Sequence, residues 1–515
     1  MGYNRYMKPD NIYKLKTLSL LLVLSLIIVP LQASGRTAVL TLESPEPRVY
    51  SFFGQAMAGG DINGDGKNEI VIAAVQERVG ENHSQGRVYI FNEKGGHLYS
   101  LTTPRPQVEA YFGSSLSVGD IDGDGQGEIL VGARGESAGE ASGAGAAHLF
   151  KGEGSLIHTF VSPNPKTYAS FGYSVLLEDL DRDGRAEIII GAPLENTALK
   201  TATPAGSGQV TPKAHGRVYV FSGINYTLLE TLAPPDLNKE VNVGGSLTAG
   251  DLDGDGLKEI IAGALGEETG GFSSQGEVYI FCRKHGEEKG WTVLQVLTTP
   301  NPGLLALFGS TVAAGDLNRD GKSDLAIGAP GEIVGKSYRQ GRVYIYDGGS
   351  KTFTHSLTTP DFASNSYFGG SIILKDVNRD KAVDLIVGAP QKTIKEIFQQ
   401  GAVHVYSGTG KSLFYSLTTP NQKASSFFGT SLLLIVSSDK KGKLLVGSPG
   451  EKDMEGRVYV FEAEYRMPLW GIIFILLFLA LMGLYTALLI RRFIRARMIY
   501  LHLMEKRKEK LQGKE

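Results

Sequence analysis

A Phe-Gly pair recurs along this chain at nearly constant intervals, and this repetition constrains the fold more than any other feature of the sequence. The pairs begin at Phe53, Phe112, Phe171, Phe308, Phe368 and Phe428, and Val243-Gly244 takes the fourth place in the series. The seven units are spaced by 59, 59, 72, 65, 60 and 60 residues. Self-similarity with this period is typical of solenoids, propellers and other repeat arrays.

Each unit contains four short segments with the composition of β-strands. They are rich in Val, Ile and Tyr and are bounded by Gly and Pro, as in Ile188–Pro193 and Gly86–Phe91. Residues 38–463 show no sustained helical periodicity. We therefore predict an all-β fold, a seven-bladed β-propeller in which each unit forms one blade. A linear solenoid is the alternative.

The two ends of the repeat array favour a closed ring. Six units end in a strand that is soon followed by Pro, but the seventh runs from Val458–Phe461 towards a long apolar segment. Residues 38–45 have the sequence of the missing strand. An N-terminal strand would complete the last blade, and ring closure would remove a free sheet edge.

An acidic loop follows the first strand in six of the units. Oxygen-bearing side chains recur at loop positions 1, 3, 5 and 9, position 7 would supply its backbone carbonyl, and such hard oxygen ligands suit calcium. We predict up to six structural Ca²⁺ ions. The candidate ligands are Asp61, Asn63, Asp65, Lys67 and Glu69; Asp120, Asp122, Asp124, Gln126 and Glu128; Asp179, Asp181, Asp183, Arg185 and Glu187; Asp251, Asp253, Asp255, Leu257 and Glu259; Asp316, Asn318, Asp320, Lys322 and Asp324; and Asp376, Asn378, Asp380, Ala382 and Asp384.

Two other interpretations of these loops are less consistent with the sequence. A helix-flanked calcium loop needs Glu at position 12, and that position is apolar in all six loops, as at Ile72. A polar Asx-turn would explain one loop but not six in register. The seventh unit has Ser437–Gly442 in this place and is predicted to be metal-free.

The sixth loop departs from the pattern at position 6, where the other five have Gly. Lys381 stands there instead. A residue other than Gly at positive φ costs about 1 kcal/mol, and Lys adds a competing cation. We predict that the sixth site is the weakest of the six.

The ends of the chain indicate a cell-membrane protein. Residues 1–33 have the basic start and short apolar run of a secretory signal peptide; an uncleaved anchor is the alternative. Residues 467–490 are predicted to form one transmembrane helix, because they are apolar and long enough to span a bilayer. The Arg-rich segment 491–515 is predicted to be a cytoplasmic tail by the positive-inside rule, which leaves the N-terminal ectodomain outside.

Composition and motifs exclude other classes of function. The net charge of −2 and the concentration of basic residues at the two ends leave an acidic body, so we expect no nucleic-acid partner. Cys282 is the single cysteine, so the chain has no intramolecular disulfide. No His-Glu-x-x-His motif is present, and we predict that the protein is not an enzyme. His148 and His404 take the place of a strand Tyr and are interpreted as structural.

The Phe-Gly opening, the acidic loop and the Gly-Ala-Pro strand end resemble FG-GAP repeats, and seven of them with a closing N-terminal strand resemble the propeller of integrin alpha chains. The resemblance covers residues 38–463. It implies structural calcium and binding of an extracellular ligand or a partner subunit. We therefore expect a membrane-tethered recognition or adhesion module for a protein or glycan. The alternatives are a structural component of a surface or envelope assembly and, with less support, a propeller hydrolase.

Two short motifs remain ambiguous in the sequence. Arg134–Glu136 invites interpretation as an adhesion motif, but it occupies the place of Pro193-Leu194 in a sister unit, which favours divergence of the repeat. Asn82 and Asn225 match the N-glycosylation sequon, and their occupancy is left open.

Overall fold

The structure is a computed structural model that describes residues 36–196, 214–236, 239–266, 274–283, 290–361, 363–408, 412–438, 441–463 and 469–512. It divides into two compact units after Ala463. The predicted signal peptide, residues 1–33, lies outside the described residues.

Within the described residues, the strands of the first unit form seven four-stranded antiparallel sheets, which we number as blades 1 to 7 in chain order. Blade 1 consists of β2 (Phe53–Gly60), β3 (Glu69–Ala74), β4 (Arg87–Phe91) and β5 (His97–Leu101). Blade 2 consists of β6 (Phe112–Gly119), β7 (Glu128–Ala133), β8 (Ala146–Phe150) and β9 (Leu156–Phe160). Blade 3 consists of β10 (Ser174–Glu178), β11 (Glu187–Ala192), β12 (Arg217–Phe221) and β13 (Leu228–Leu232).

The remaining blades repeat this order of strands. Blade 4 consists of β14 (Val243–Gly250), β15 (Glu259–Ala264), β16 (Glu277–Arg283) and β17 (Trp291–Thr298). Blade 5 consists of β18 (Thr311–Gly315), β19 (Asp324–Ala329), β20 (Arg342–Asp347) and β21 (Thr352–Leu357). Blade 6 consists of β22 (Ser371–Lys375), β23 (Asp384–Ala389), β24 (Ala402–Tyr406) and β25 (Leu413–Thr418). Blade 7 consists of β26 (Leu432–Val436), β27 (Gly442–Ser448), β28 (Arg457–Glu462) and the N-terminal β1 (Leu40–Leu42).

Apolar side chains of adjacent blades form the core. The second strand of each of the first six blades is buried along its whole length, as in β3. Phe53 and Ile72 of blade 1, for example, pack in one cluster with Leu445 and Val458 of blade 7. Each of these strands lies between two other strands of its sheet and is buried on both faces, so its composition is uniformly apolar rather than alternating.

The recurrent glycines allow neighbouring blades to approach closely. Gly86 precedes β4 with φ +86°, and a Cβ there would lie 2.2 Å from the carbonyl oxygen of Phe112 in blade 2. The N–H of Phe112 donates to the carbonyl of Gln85 at 2.8 Å. The Phe-Gly pair of one blade and the Gly before the third strand of the preceding blade therefore form one packing unit.

The ring is closed by the N-terminal strand, as the sequence predicts. Leu40 pairs with Val460 and Leu42 with Val458 in the antiparallel ladder between β1 and β28. The contact found between blades 1 and 2 recurs at this boundary, where the N–H of Phe53 donates to the carbonyl of Glu455 at 3.0 Å. The seven-bladed propeller is thus confirmed, and the linear solenoid is excluded.

Helices make a small contribution to the described residues. α1 (Glu451–Met454) is a single turn in blade 7, and α2 (Leu469–Gln512) belongs to the second unit. None of the helices among the described residues has both the length and the apolar composition that a membrane crossing requires. The predicted transmembrane helix over 467–490 is therefore not confirmed.

Candidate metal-binding loops and the opposite face

The six acidic loops lie on one face of the propeller, because each connects the first strand of its blade to the second. Loops of adjacent blades touch: the side chain of Gln126 lies beside Gly64, Arg185 beside Gly123 and Lys322 beside Gly254. In each pair, position 7 of one loop contacts position 4 of the loop before it. The loops therefore interact with one another as well as with their own strands.

The aspartate at position 1 is held by backbone donors of its own loop. In the first loop, Asp61 Oδ1 accepts from the N–H of Gly64 and Asp61 Oδ2 from the N–H of Gly66, both at 2.7 Å. Asn63 Oδ1 accepts from the N–H of Asp65 at 2.9 Å. These bonds hold the side-chain oxygens at the centre of the loop.

Position 7 takes part in the same pattern through its backbone. Its N–H donates to a side-chain oxygen of position 5 in all six loops, at 2.7 to 2.9 Å. Ligation of an ion by the position 7 carbonyl stays a prediction.

The acidic residue at position 9 is buried at the base of each loop. Glu69, Glu128, Glu187, Glu259, Asp324 and Asp384 are between 1% and 8% exposed. One carboxylate oxygen of each accepts from the N–H of position 2, as Glu128 Oε2 does from Ile121 at 3.0 Å. Among the described residues, Asp384 Oδ1 has no hydrogen-bond partner.

Burial and neighbouring carboxylates disfavour the ionised form of these acids. Burial, with a smaller contribution from the aspartates of the same loops, raises the pKa of Glu128, Glu187 and Glu259 to about 7. The pKa of Asp384 is raised to about 6 for the same two reasons. A bound cation would offset both effects, so the donor set and its electrostatics fit a divalent metal ion.

Three loops bring several carboxylates within reach of one ion. One carboxylate oxygen from each member of a group lies within 4.8 Å of the others in loops 2, 3 and 4. The groups are Asp120, Asp122 and Glu128; Asp179, Asp181 and Glu187; and Asp251, Asp253 and Asp255. In loops 1, 5 and 6 an Asn stands at position 3, which leaves fewer carboxylates. These groups are compatible with calcium binding.

The backbone of the loops has one feature that sequence reasoning found and one that it missed. Position 6 is left-handed in every loop, and Lys381 adopts φ 68° there, as predicted. Position 4 is left-handed as well, and Arg182, Arg319 and Arg379 occupy it with φ of 63° or 64°. The glycines at position 4 in the other three loops were the available signal.

Sequence reasoning also missed buried polar networks on the opposite face of the propeller. In blade 1 the hydroxyl of Tyr89 donates to Glu77 Oε2 at 2.8 Å. In blade 2, Glu136 accepts from Arg105 and contacts His148 Nε2 at 2.9 Å. The signal for these networks was a Glu three residues after the Ala that ends the second strand, together with a Tyr in the third strand.

The blade 2 network explains the Arg134–Glu136 motif. The side chain of Glu136 is fully buried. Its carboxylate is therefore inaccessible to an external ligand, in agreement with divergence of the repeat. The network also accounts for His148, which is structural as the sequence indicates.

Aromatic side chains surround a shallow cavity beside this motif. Arg134 lies over the rings of Tyr111 and Tyr173, with its guanidinium carbon 4.7 and 5.6 Å from the ring centres. Arg134 and Tyr111 border the cavity of about 290 Å³ that Tyr168 also lines. Tyr168 is 69% exposed and Tyr50, at the corresponding position of blade 1, is 61% exposed. Segments between blades thus present aromatic rings to solvent on this face.

Comparison with known protein families identifies the repeats. The FG-GAP repeat family matches residues 171–211, 243–281 and 308–346, and the FG-GAP-like repeat family matches residues 61–131. The first three matches each include the acidic loop of their blade.

Several curated proteins are similar to parts of this chain. Integrin alpha-PS3 of Drosophila melanogaster is 32% identical over 180 residues, which cover 32% of this chain and 16% of that protein. Integrin alpha-5 of Xenopus laevis is 28% identical over 314 residues, 60% of this chain and 28% of that protein. Phosphatidylinositol-glycan-specific phospholipase D of Bos taurus is 29% identical over 241 residues, 43% of this chain and 28% of that protein. The similarity therefore spans less than a third of the length of each of these relatives.

Proposed function

Because the chain is an FG-GAP repeat protein similar to integrin alpha chains, we propose that it is a calcium-binding recognition module of the cell surface that binds an extracellular protein or glycan. The observation that carries this proposal is the aromatic surface around Arg134, which a closed propeller holds on the face opposite the acidic loops. Exposed Tyr rings offer large contact area at a low entropic cost. Loops on a rigid scaffold are frequent binding sites.

The acidic loops support calcium as the structural ion of this module. The unpartnered, buried Asp384 Oδ1 and the raised pKa values of the position 9 acids both support this proposal, because a bound cation would partner the oxygen and favour the ionised acids. The side chains at positions 1, 3, 5 and 9 would hold the ion, and Ca²⁺ would supply neutralisation of their mutual repulsion.

We also propose that the protein resides in the cell membrane. The uncharged run within 467–490 and the arginines that follow it support a single membrane anchor with a cytoplasmic C-terminus. The apolar segment within 1–33 supports export of the propeller. A partner subunit is compatible with this arrangement.

Of the two glycosylation sequons, Asn225 is the better acceptor. Asn225 is exposed, and the hydroxyl of Thr227 donates to its Oδ1 at 2.7 Å. Asn82 is half-buried, and its Nδ2 donates to Gln85 Oε1 at 2.8 Å. We propose that a glycan on this protein is attached at Asn225, and peptide mapping after glycosidase treatment tests this.

Ligand binding is tested with the full-length chain in lipid nanodiscs on protein and glycan arrays. We expect a ligand whose affinity falls about tenfold in Tyr168→Ala, since a central aromatic contact contributes at least this much. Leu228→Ala is the matched control, because Leu228 is exposed on the outer strand β13, away from this face. Equal losses in both variants would contradict the assigned face, and absence of any ligand would favour a structural component of an assembly.

A hydrolase is the second candidate, and the similarity to a phospholipase D favours it. The matched region spans 28% of that relative. The two buried histidines of the described third strands, His148 and His404, have hydrogen-bond partners within their blades. Incubation of the purified chain with phosphatidylinositol-glycan-anchored protein separates the candidates: release of the anchor would support an enzyme, and intact anchor supports a binding module.

A further inference from the structure

One ligand position in the fourth loop already holds a positive charge supplied by the neighbouring blade. Arg182 is at position 4 of the third loop, and its Nη2 lies 3.1 Å from Asp251 Oδ2. Asp251 is position 1 of the fourth loop, and the same oxygen accepts from the N–H of Gly256 at 3.0 Å. A candidate calcium ligand is therefore bonded to a guanidinium across the boundary between blades 3 and 4.

The local geometry accommodates this contact. A Cβ on Gly256 would lie 2.9 Å from Arg182 Nη1, so the glycine at position 6 leaves room for the guanidinium. Asp251 is only 9% exposed, whereas Asp61 and Asp120, at position 1 of the first two loops, are half-buried. Arg182 covers the carboxylate and shields it from solvent.

Loops 1 and 2 have no arginine at position 4. Gly64 and Gly123 stand at position 4 of loops 1 and 2, so neither loop extends a side chain from that position to the next blade. Arginine occupies position 4 in loops 3, 5 and 6, but Arg182 of loop 3 bonds to position 1 of the next loop, whereas Arg319 of loop 5 bonds to position 5.

The boundary between blades 3 and 4 carries a second arginine in the opposite direction. Arg283, at the end of β16, donates from Nη2 to Asp181 Oδ2 of the third loop at 3.1 Å. Arg319 of the fifth loop makes a similar contact at the boundary between blades 5 and 6, where its Nη2 lies 3.1 Å from Asp380 Oδ1 of the sixth loop. Arginines thus approach carboxylates of loops 3, 4 and 6.

We propose that Arg182 is a built-in competitor of calcium at the fourth loop. This inference depends on the proposed function, because it assumes that the loops bind Ca²⁺. The Arg182 guanidinium already bonds Asp251 Oδ2, and its charge repels a divalent ion close to that oxygen. The Arg182 side chain is 64% exposed, so it can leave Asp251 for solvent when an ion binds. The fourth site therefore binds calcium more weakly than the second. When an ion binds there, the bond between Arg182 and Asp251, which joins blades 3 and 4, is replaced by a bond between Asp251 and the ion within the fourth loop.

The test is calcium binding by the full-length chain, measured by equilibrium dialysis at limiting calcium. The variant is Arg182→Gly, which installs the residue of the sister loops at a left-handed position and so preserves the backbone. We expect about a fivefold gain in affinity at one site, as for removal of an exposed cation close to a bound ion. The gain must disappear when the same substitution is made in an Asp251→Asn background.

Arg379→Gly is the matched control, because Arg379 occupies the same position with the same φ of 63° in the sixth loop. It relieves equal backbone strain, and its effect on calcium binding should persist in the Asp251→Asn background. A wild-type chain that binds calcium while Arg182→Gly binds no more of it would overturn this inference alone. A wild-type chain that binds no calcium would overturn the proposed metal role, and this inference with it.

Discussion

Blades 5 and 6 place opposite charges at the same buried position. In blade 5, Glu332 accepts from Arg342 Nε at 2.7 Å and from the hydroxyl of Tyr344. In blade 6 the corresponding residue is Lys392, which bonds to Asp361 and approaches His404 Nε2 at 3.4 Å.

The partners change together with the central residue. Ala402 stands where blade 5 has Arg342, and His404 stands where it has Tyr344. Burial and the charge of Lys392 lower the pKa of His404 to about 3, so the imidazole is neutral and can accept a hydrogen bond from the ammonium. The repeat therefore conserves the balance of charge at this position and not the sign of any one residue.

Reversal of one charge without its partners should produce the largest effect. Glu332→Lys places an ammonium beside Arg342 in a buried network, and we expect a loss of about 3–5 kcal/mol in the free energy of unfolding. Chemical denaturation of the full-length chain measures it. Adding Arg342→Ala and Asn301→Asp, which supply the Ala and the Asp that blade 6 has at these positions, should recover part of the loss. No recovery would contradict the idea of a balanced network.

The loops of the same two blades differ in their need for an ion. Asp324 Oδ1 accepts from the N–H of Gly348 at 3.1 Å, but Asp384 Oδ1 has no partner among the described residues. Chelation of calcium should lower the melting temperature by about 5 °C or more, because the ion binds the folded state only. Hydrogen exchange should show a larger loss of protection in β22 and β23 than in β18 and β19. Equal losses of protection in the two blades would contradict this difference between their loops. A melting temperature that chelation leaves unchanged would refute the metal assignment.

The raised pKa values of the acids at position 9 predict that the stability of the metal-free chain depends on pH. Since the folded pKa of Asp384 is about 6 against an ordinary 3.8, the folded state binds more protons than the unfolded state between these values. Stability should therefore fall as pH rises through this window, and the raised pKa values near 7 extend the fall. We expect the melting temperature to drop by about 2–4 °C from pH 5 to pH 7.

Two controls separate the contributions to this slope. Asp384→Asn should reduce it, because an amide does not titrate, and saturating calcium should remove most of it. If the melting temperature of the metal-free chain rises from pH 5 to pH 7, the predicted direction of the pH dependence is wrong.

The smallest effect concerns position 6 of the two loops. Lys381→Gly should stabilise the chain by about 1 kcal/mol, and Gly321→Lys should destabilise it by a similar amount, since both positions are left-handed. Calcium titration of the two variants should show tighter binding for the first and weaker binding for the second. Opposite shifts would exclude the backbone as the reason that the sixth site is weak.

The sequence was sufficient for the blades because their determinants are local and repeated. The pair Phe53-Gly54 predicts the first strand of blade 1, and the apolar segment Ile70–Ala74 predicts its second strand. Six further copies of this pattern along the chain confirm the interpretation. Oxygen ligands at fixed spacing likewise predict the acidic loops without reference to any other blade.

The sequence was insufficient where two blades contribute to one contact. Arg182 and Asp251 are 69 residues apart, and no pattern in either loop indicates that they meet. Lys392 departs from the repeat in sequence, and its compensation by Asp361 and Ala402 is visible only in the folded blade. The membrane segment depends on hydropathy alone and stays a prediction.

The closing strand has a consequence for the order of folding. β1 is among the first parts of the propeller to be synthesised, but its partner β28 is among the last, since Leu40 pairs with Val460. Blade 7 cannot be completed until nearly the whole propeller has left the ribosome, and contacts of such sequence separation form slowly. The nascent chain must therefore keep the edge-forming segment β1 unpaired throughout its synthesis, which is the period in which a wrong strand partner or a chaperone has the greatest opportunity to bind it.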